Sequence, residues 1–253
     1  MLKQPQINNK ERCQCDPNCM NPPLPKSAFC SLHRGVCKRH SPLTGWEPKL
    51  MLKFINEFKE FINTHNCFAY AMNILDPKQI KNCVTLTGCN VPFHQPGSAA
   101  GHEPFTAEKP KTCPDMMSRI LGDNPGIRPT TFEKRCPNKT SKIALVVDED
   151  EDYHFLRQDS NGWWSQKGGA KPVTNLDASG RPIWDPQLAN HNWTNAQGPL
   201  DYDIFCGFLC VPRVDPLYIK TGGRHTRRLS GRRAPRSKKI RISKTKRSKD
   251  RRV

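Results

Sequence analysis

The chain has 253 residues and a formal net charge of +18, with 41 Lys and Arg against 23 Asp and Glu. Fifteen of those cations lie in residues 221–253 against the single Asp250, so +14 of the charge belongs to that stretch and only +4 to the rest. The start, Met1 to Glu11, is polar and lacks a signal-peptide pattern, and the apolar runs elsewhere are too short for a bilayer. An intracellular location in cytoplasm or nucleus is therefore expected, with no transmembrane segment. In such a compartment the twelve cysteines should be thiols or metal ligands rather than disulfides.

The first element is a cysteine-rich module over residues 1–40. Five cysteines fall between Cys13 and Cys37, in a segment with too few aliphatic residues to form a core. Cys15, Cys19, Cys30 and His33 supply three thiolates and an imidazole in two short pairs, the donor set that tetrahedral zinc favours. Ligation energy would then substitute for apolar burial, making Zn2+ a structural cofactor. Cys13, Cys37 and His40 are spare donors, and an unstructured segment with incidental cysteines is the plain alternative.

Residues 41–47 read as a linker, and an α+β domain is expected over residues 48–215. Pro48 suits a helix start, and Met51, Phe54, Ile55, Phe58, Phe61 and Ile62 keep helical spacing. Asn66 is a good N-cap for a second helix from Cys67 to about Leu75, ended by Asp76-Pro77. Residues 91–110, rich in Pro and Gly, should be irregular, and residues 114–121 a short helix stopped by Gly122. Residues 143–147 read as a buried strand, residues 153–158 and 163–167 as a hairpin around Asp159-Ser-Asn-Gly162, and residues 203–211 as a last strand. Helices first and antiparallel strands later give the α+β class.

Within that domain, Cys67 in a first helical turn has the position that lowers a thiol pKa, and His154 stands mid-strand, where an imidazole needs a partner. Together they suggest acyl transfer, with Cys67 as nucleophile and His154 as base and acid. The orienting third group depends on the hairpin loop. Three loop residues, 160–162, put Gln166 on the His154 face, whereas two or four put Ser165 there; Gln166 is the preferred candidate. Oxyanion donors would be the Cys67 backbone N–H and the Asn66 side chain. The plain alternative is that Cys67 is a small core residue. Cys83, Cys89, Cys113, Cys136, Cys206 and Cys210 read as packed thiols, with Cys206 and Cys210 on one strand face. His65, His94, His102 and His191 read as solvated loop residues.

The order of helix cysteine, strand histidine and polar residue resembles the papain-like cysteine peptidases and amidases of bacterial cell-wall endopeptidase type. Asn66-Cys-Phe-Ala-Tyr-Ala71, Phe93-His-Gln-Pro-Gly97, Asp152-Tyr-His-Phe-Leu-Arg-Gln-Asp159, Gly162-Trp-Trp-Ser-Gln-Lys167 and Val173-Thr-Asn-Leu-Asp-Ala-Ser-Gly180 resemble an uncharacterised family of large DNA viruses and bacteria, over residues 41–213. That family often carries His where this chain has Gln166. Phe29-Cys-Ser-Leu-His33, with Asn21, resembles the small Cys and His knuckles of large DNA viruses. These resemblances imply a viral, virion-associated protein in host cytoplasm or nucleus with a thiol-hydrolase domain, or a non-enzymatic virion component with capsid-protein partners.

The polybasic end is taken as residues 216–253, and within it residues 221–253 repeat paired cations such as Arg227-Arg228, Arg232-Arg233 and Lys238-Lys239 among Ser, Thr, Gly and Pro without an aromatic residue. It should be disordered. Lacking rings to stack on bases, it should bind nucleic acid or another polyanion through phosphates and counterion release. A solubilising charge run is its plain alternative.

Overall fold

The computed structural model describes residues 12–85, 89, 91–106, 108–194, 200–215 and 217–220, which belong to one compact unit, Met1–Gly223. Every expectation placed on residues 221–253 lies outside the described residues.

Helices precede strands. Among the described residues the helices are α1 (Leu52–Glu57), α2 (Lys59–Thr64), α3 (Cys67–Ala71), α4 (Pro77–Thr85) and α5 (Cys113–Asp123). The strands are β1 (Arg128–Thr130), β2 (Thr140–Asp148), β3 (Asp152–Gln158), β4 (Trp164–Lys167), β5 (Val173–Thr174) and β6 (Ile204–Pro212). They form one antiparallel sheet in the order β1-β6-β2-β3-β4-β5. The α+β class holds.

β2 is apolar without alternation because both of its faces are covered. Ile143, Leu145 and Val147, with Tyr153, Phe155, Leu209 and Val211, pack against Phe68, Ala71, Met116 and Ile120 of the helices. Ala144 and Val146, with Leu156, Trp164 and Phe208, pack instead against loop residues Phe132, Ile183, Ala189 and Tyr202. Two-fold alternation along each strand thus divides one sheet between a helical layer and a loop layer.

A β-bulge changes how β6 reads. Leu145 pairs with Gly207 but Val146 pairs with Phe205, so Cys206 is the extra residue, beside Gly207 at φ +130°. The bulge turns Cys206 to the helical side, where it is bonded to Cys113 of α5, while Cys210 is bonded to Cys136. Cys206 and Cys210 therefore do not share a face. Nor are these residues thiols: Cys83–Cys89 and Cys15–Cys37 are bonded as well, correcting the all-thiol expectation. Close Cα approach, 5.2 Å at Cys113–Cys206 and 5.6 Å at Cys136–Cys210, makes the pairs possible, and sequence spacing alone does not encode it.

The helices depart from the expected bounds for local reasons. The amphipathic run breaks at Phe58, whose backbone leaves helical geometry, and α1 buries none of its residues, leaving Phe54 65 % exposed. α3 is only five residues because Asn73 adopts φ 58°. Asp76-Pro77 starts a helix rather than only ending one: Pro77 is the first residue of α4, and Asp76 Oδ1 accepts from the Lys78 and Gln79 backbone N–H groups. α5 runs through Gly122 to Asp123. The supposed linker lies against the sheet, where Ser41 accepts from the Lys142 ammonium at 2.7 Å and Thr44 Oγ1 donates to the Thr140 carbonyl at 2.6 Å.

Candidate functional site

The N-terminal segment is shaped by its first cysteines. The Cys13 N–H bonds to the Asn21 carbonyl and the Gln14 N–H to the Ala28 carbonyl, and the Cys30 N–H reaches Cys13 Sγ at 3.3 Å. Cys13 Sγ then lies 3.3 Å from His33 Nδ1, and Cys30 Sγ lies 3.5 Å from it and 3.8 Å from Cys19 Sγ. One donor atom from each of Cys13, Cys19, Cys30 and His33 falls within 4.8 Å of the others. This group could hold a metal ion.

Three of the four expected ligands are present, and Cys15 is the correction. Its sulfur is bonded to Cys37, so Cys13 takes its place, and Cys37 is not a spare donor. His40 turns to the Lys38 carbonyl at 3.0 Å. Gln14, between the two cysteines, sends its side chain into the domain: its Oε1 accepts from the Trp184 and Asp185 N–H groups and its Nε2 donates to the Pro182 carbonyl. Phe29 packs on Trp163 and Trp184, and Arg39 pairs with Asp185 and with Glu133.

The second cluster is built around β3. The hairpin loop has three residues, 160–162, because the Asp159 N–H pairs with the Trp163 carbonyl. Leu156 is consequently opposite Gln166 and Arg157 opposite Ser165. His154 Nε2 is 2.8 Å from Gln166 Oε1, whereas Ser165 faces the helices and meets the Tyr70 hydroxyl at 2.6 Å. Gln166 donates its own amide N–H to the Leu176 carbonyl at 2.6 Å, which turns Oε1 toward the histidine. Nε2 must therefore carry the imidazole proton and Nδ1 the lone pair.

Cys67 arrives from the other side. It belongs to the helical core, while His154 pairs with Val146 on the loop-layer face and its ring lies 5.3 Å from Tyr202. The β3–β4 pairing ends at Leu156↔Gln166, and beyond it Cys67 and His154 line one cavity of about 260 Å³. Asn66, Phe93, Phe105, Lys111, Asp152 and Tyr202 also line it. Cys67 Sγ donates to the Tyr153 carbonyl at 3.9 Å and makes no hydrogen bond with His154 among the described residues.

Electrostatics corrects the expected thiolate. Burial first, then the Asp152 charge, pushes the Cys67 thiol up to about 12. A five-residue helix supplies too little dipole to oppose that. His154 is pushed down to about 3 by burial and then by His191, against the pull of Gln166. At neutral pH the pair is thiol and imidazole. Asn66 caps α3 as expected, accepting from the Ala69 N–H, and its amide donates one N–H to the His94 carbonyl at 2.8 Å.

Several polar groups escaped sequence reasoning. His65, His94 and His191 are buried rather than solvated. Lys167 is buried next to the cavity's Gly169, donating to the Ile62 carbonyl at 2.7 Å and to the Gly169 carbonyl, and burial pushes it down to about 7. A lysine ending the motif Trp-Trp-Ser-Gln-Lys167 was the available signal.

The fold and sites define an α+β protein joined to a Cys and His module able to hold a metal ion. No family model matches the chain, and no solved structure matches it. The chain is 37% identical over 152 residues to Insoluble matrix shell protein 1 of Ruditapes philippinarum, an alignment spanning 59% of this chain and 82% of that protein. With that identity and coverage the chain belongs to the same family.

Proposed function

We propose that this protein is a cysteine hydrolase of amide or ester bonds, with Cys67 as nucleophile, His154 as base and acid, and Gln166 as orienting group. The observation that carries the reading is the relay from the Leu176 carbonyl through Gln166 to His154 Nε2, which leaves Nδ1 as the basic atom beside the cavity that Cys67 lines. A neutral imidazole in that tautomer is what general-base chemistry requires. Because thiol and imidazole are both neutral at rest, proton transfer accompanies attack. The thiol turns from the Tyr153 carbonyl, its proton passes to Nδ1, and Sγ adds to the acyl carbon. Collapse breaks the bond to nitrogen or oxygen as His154 returns the proton to the leaving group. Water, deprotonated by His154, then releases the acid from the thioester.

The module would hold zinc through Cys13, Cys19, Cys30 and His33 in a structural role, since three thiolates and an imidazole suit a closed tetrahedral site. The polybasic end would tie the protein to nucleic acid or another polyanion.

The test is transfer of an acyl group from p-nitrophenyl acetate to full-length protein, read by peptide mass. An acetyl group on Cys67, lost in Cys67→Ser and slowed about a hundredfold in His154→Ala, supports the reading. Equal acetylation of the His154→Ala protein removes it.

A second reading is favoured by the four disulfides and by the relative, whose name places it in an insoluble shell matrix. In it the fold is a covalently stapled scaffold of an insoluble assembly and Cys67 a core residue. Release of the native protein into solution by reductant alone would favour that reading.

A further inference from the structure

Lys111 is 7 % exposed and lines the cavity shared by Cys67 and His154. A lysine buried to that degree ordinarily has a carboxylate or several carbonyls around its ammonium. Here the backbone N–H is used, bonding to the Glu149 carbonyl at 2.8 Å, but the ammonium makes no hydrogen bond or ion pair among the described residues. Two carboxylates feel its charge, Asp152 and Glu108, and neither pairs with it. Asp152 is instead engaged elsewhere, accepting from the Tyr153 N–H at 2.8 Å and from the Tyr202 hydroxyl at 3.3 Å. The cavity therefore presents an unpartnered cation, with the rings of Phe93 and Phe105 among its walls.

We infer that this cavity is a binding site for a carboxylate-bearing ligand, with the Lys111 ammonium receiving the carboxylate. A charge-assisted hydrogen bond in a half-dry cavity is stronger than one between neutral groups, so a neutral amide of the same shape should be discriminated against. The aromatic walls suit an apolar segment next to the carboxylate, as in an acylated amino acid or the end of a peptide. The inference deepens the hydrolase reading by naming the group its substrate carries, and it rests on that reading only for the claim that the ligand is a substrate.

The test is ligand-observed NMR titration of full-length protein with N-acetylglycine and N-acetylglycinamide, which share a shape and differ in one charge. N-acetylglycine should bind at least tenfold more tightly, Lys111→Met should erase the difference without weakening the amide, and Lys111→Arg should restore it. Equal affinities in the wild-type protein, no binding of either probe, or a preference that survives Lys111→Met would overturn the inference. Carboxylate binding by the wild-type protein with no acyl transfer to Cys67 would remove the hydrolase reading while leaving the ligand site standing.

Discussion

Gln166 Oε1 meets His154 Nε2 at 2.8 Å across neighbouring strands, and the Leu176 carbonyl fixes which end of the amide the histidine sees. The imidazole is thereby held in one tautomer without a charged partner. Replacing Gln166 with Glu puts an anion at that position, which favours the imidazolium. The His154 ring signals of the wild-type protein should be unchanged between pH 8 and pH 5, and in Gln166→Glu they should titrate within that range, as followed by NMR. Gln166→Leu should slow acyl transfer about ten- to a hundredfold by freeing the ring.

Acid should destabilise this protein through its buried histidines. His154 is pushed down to about 3 and His65 to about 4, in both cases mainly by burial. Below the ordinary histidine value near 6.5 the unfolded chain takes up protons that the native state refuses, so stability falls as pH falls. The loss should approach about 1 kcal/mol per pH unit for each histidine between pH 6.5 and their native values. Urea midpoints measured at pH 7, 6, 5 and 4 check the slope, and His65→Phe should reduce it.

Peptide mapping without reductant should recover Cys113 linked to Cys206 and Cys136 linked to Cys210. These bridges close spans of 93 and 74 residues. In the chain-entropy description each is worth about 4 kcal/mol, so reduction should lower the unfolding midpoint strongly. Finding all four as free thiols in the native protein would contradict the described pairing.

One zinc should accompany each chain purified without chelator. Cys13→Ser or Cys30→Ser should lose it, and Cys15→Ser should keep it, because Cys15 is bonded to Cys37 and stands apart from the donor group. Metal analysis decides between this set and the one containing Cys15. Because Gln14 holds the Trp184 and Asp185 N–H groups, chelation should also change the fluorescence of the Trp163 and Trp184 pair.

The proposal for residues 221–253 is tested by salt. If roughly eight of its cations meet phosphates, duplex DNA affinity should fall with a log-log slope of about −7, independent of sequence. A chain ending at Lys220 should lose most of that slope. Equal slopes for both proteins would move the anchor elsewhere.

The sequence by itself determined the α+β class, the buried β2 and the Asp159–Gly162 hairpin, because these rest on local pattern: an unbroken apolar run, turn residues and strand alternation. It also narrowed the third site position to two residues, since a loop of known length sets which face each one takes. It favoured Cys15 over Cys13 as a ligand, because either cysteine can reach a tetrahedral site and only the pairing of Cys15 with Cys37 separates them. The opposed faces of Cys206 and Cys210 depended on a single bulge at Cys206, and one inserted residue reverses alternation without a mark in composition. Cys67 looked like a thiolate because helix position is visible in sequence. Its burial is not, and only the packing of the helical layer on β3 made desolvation the larger effect.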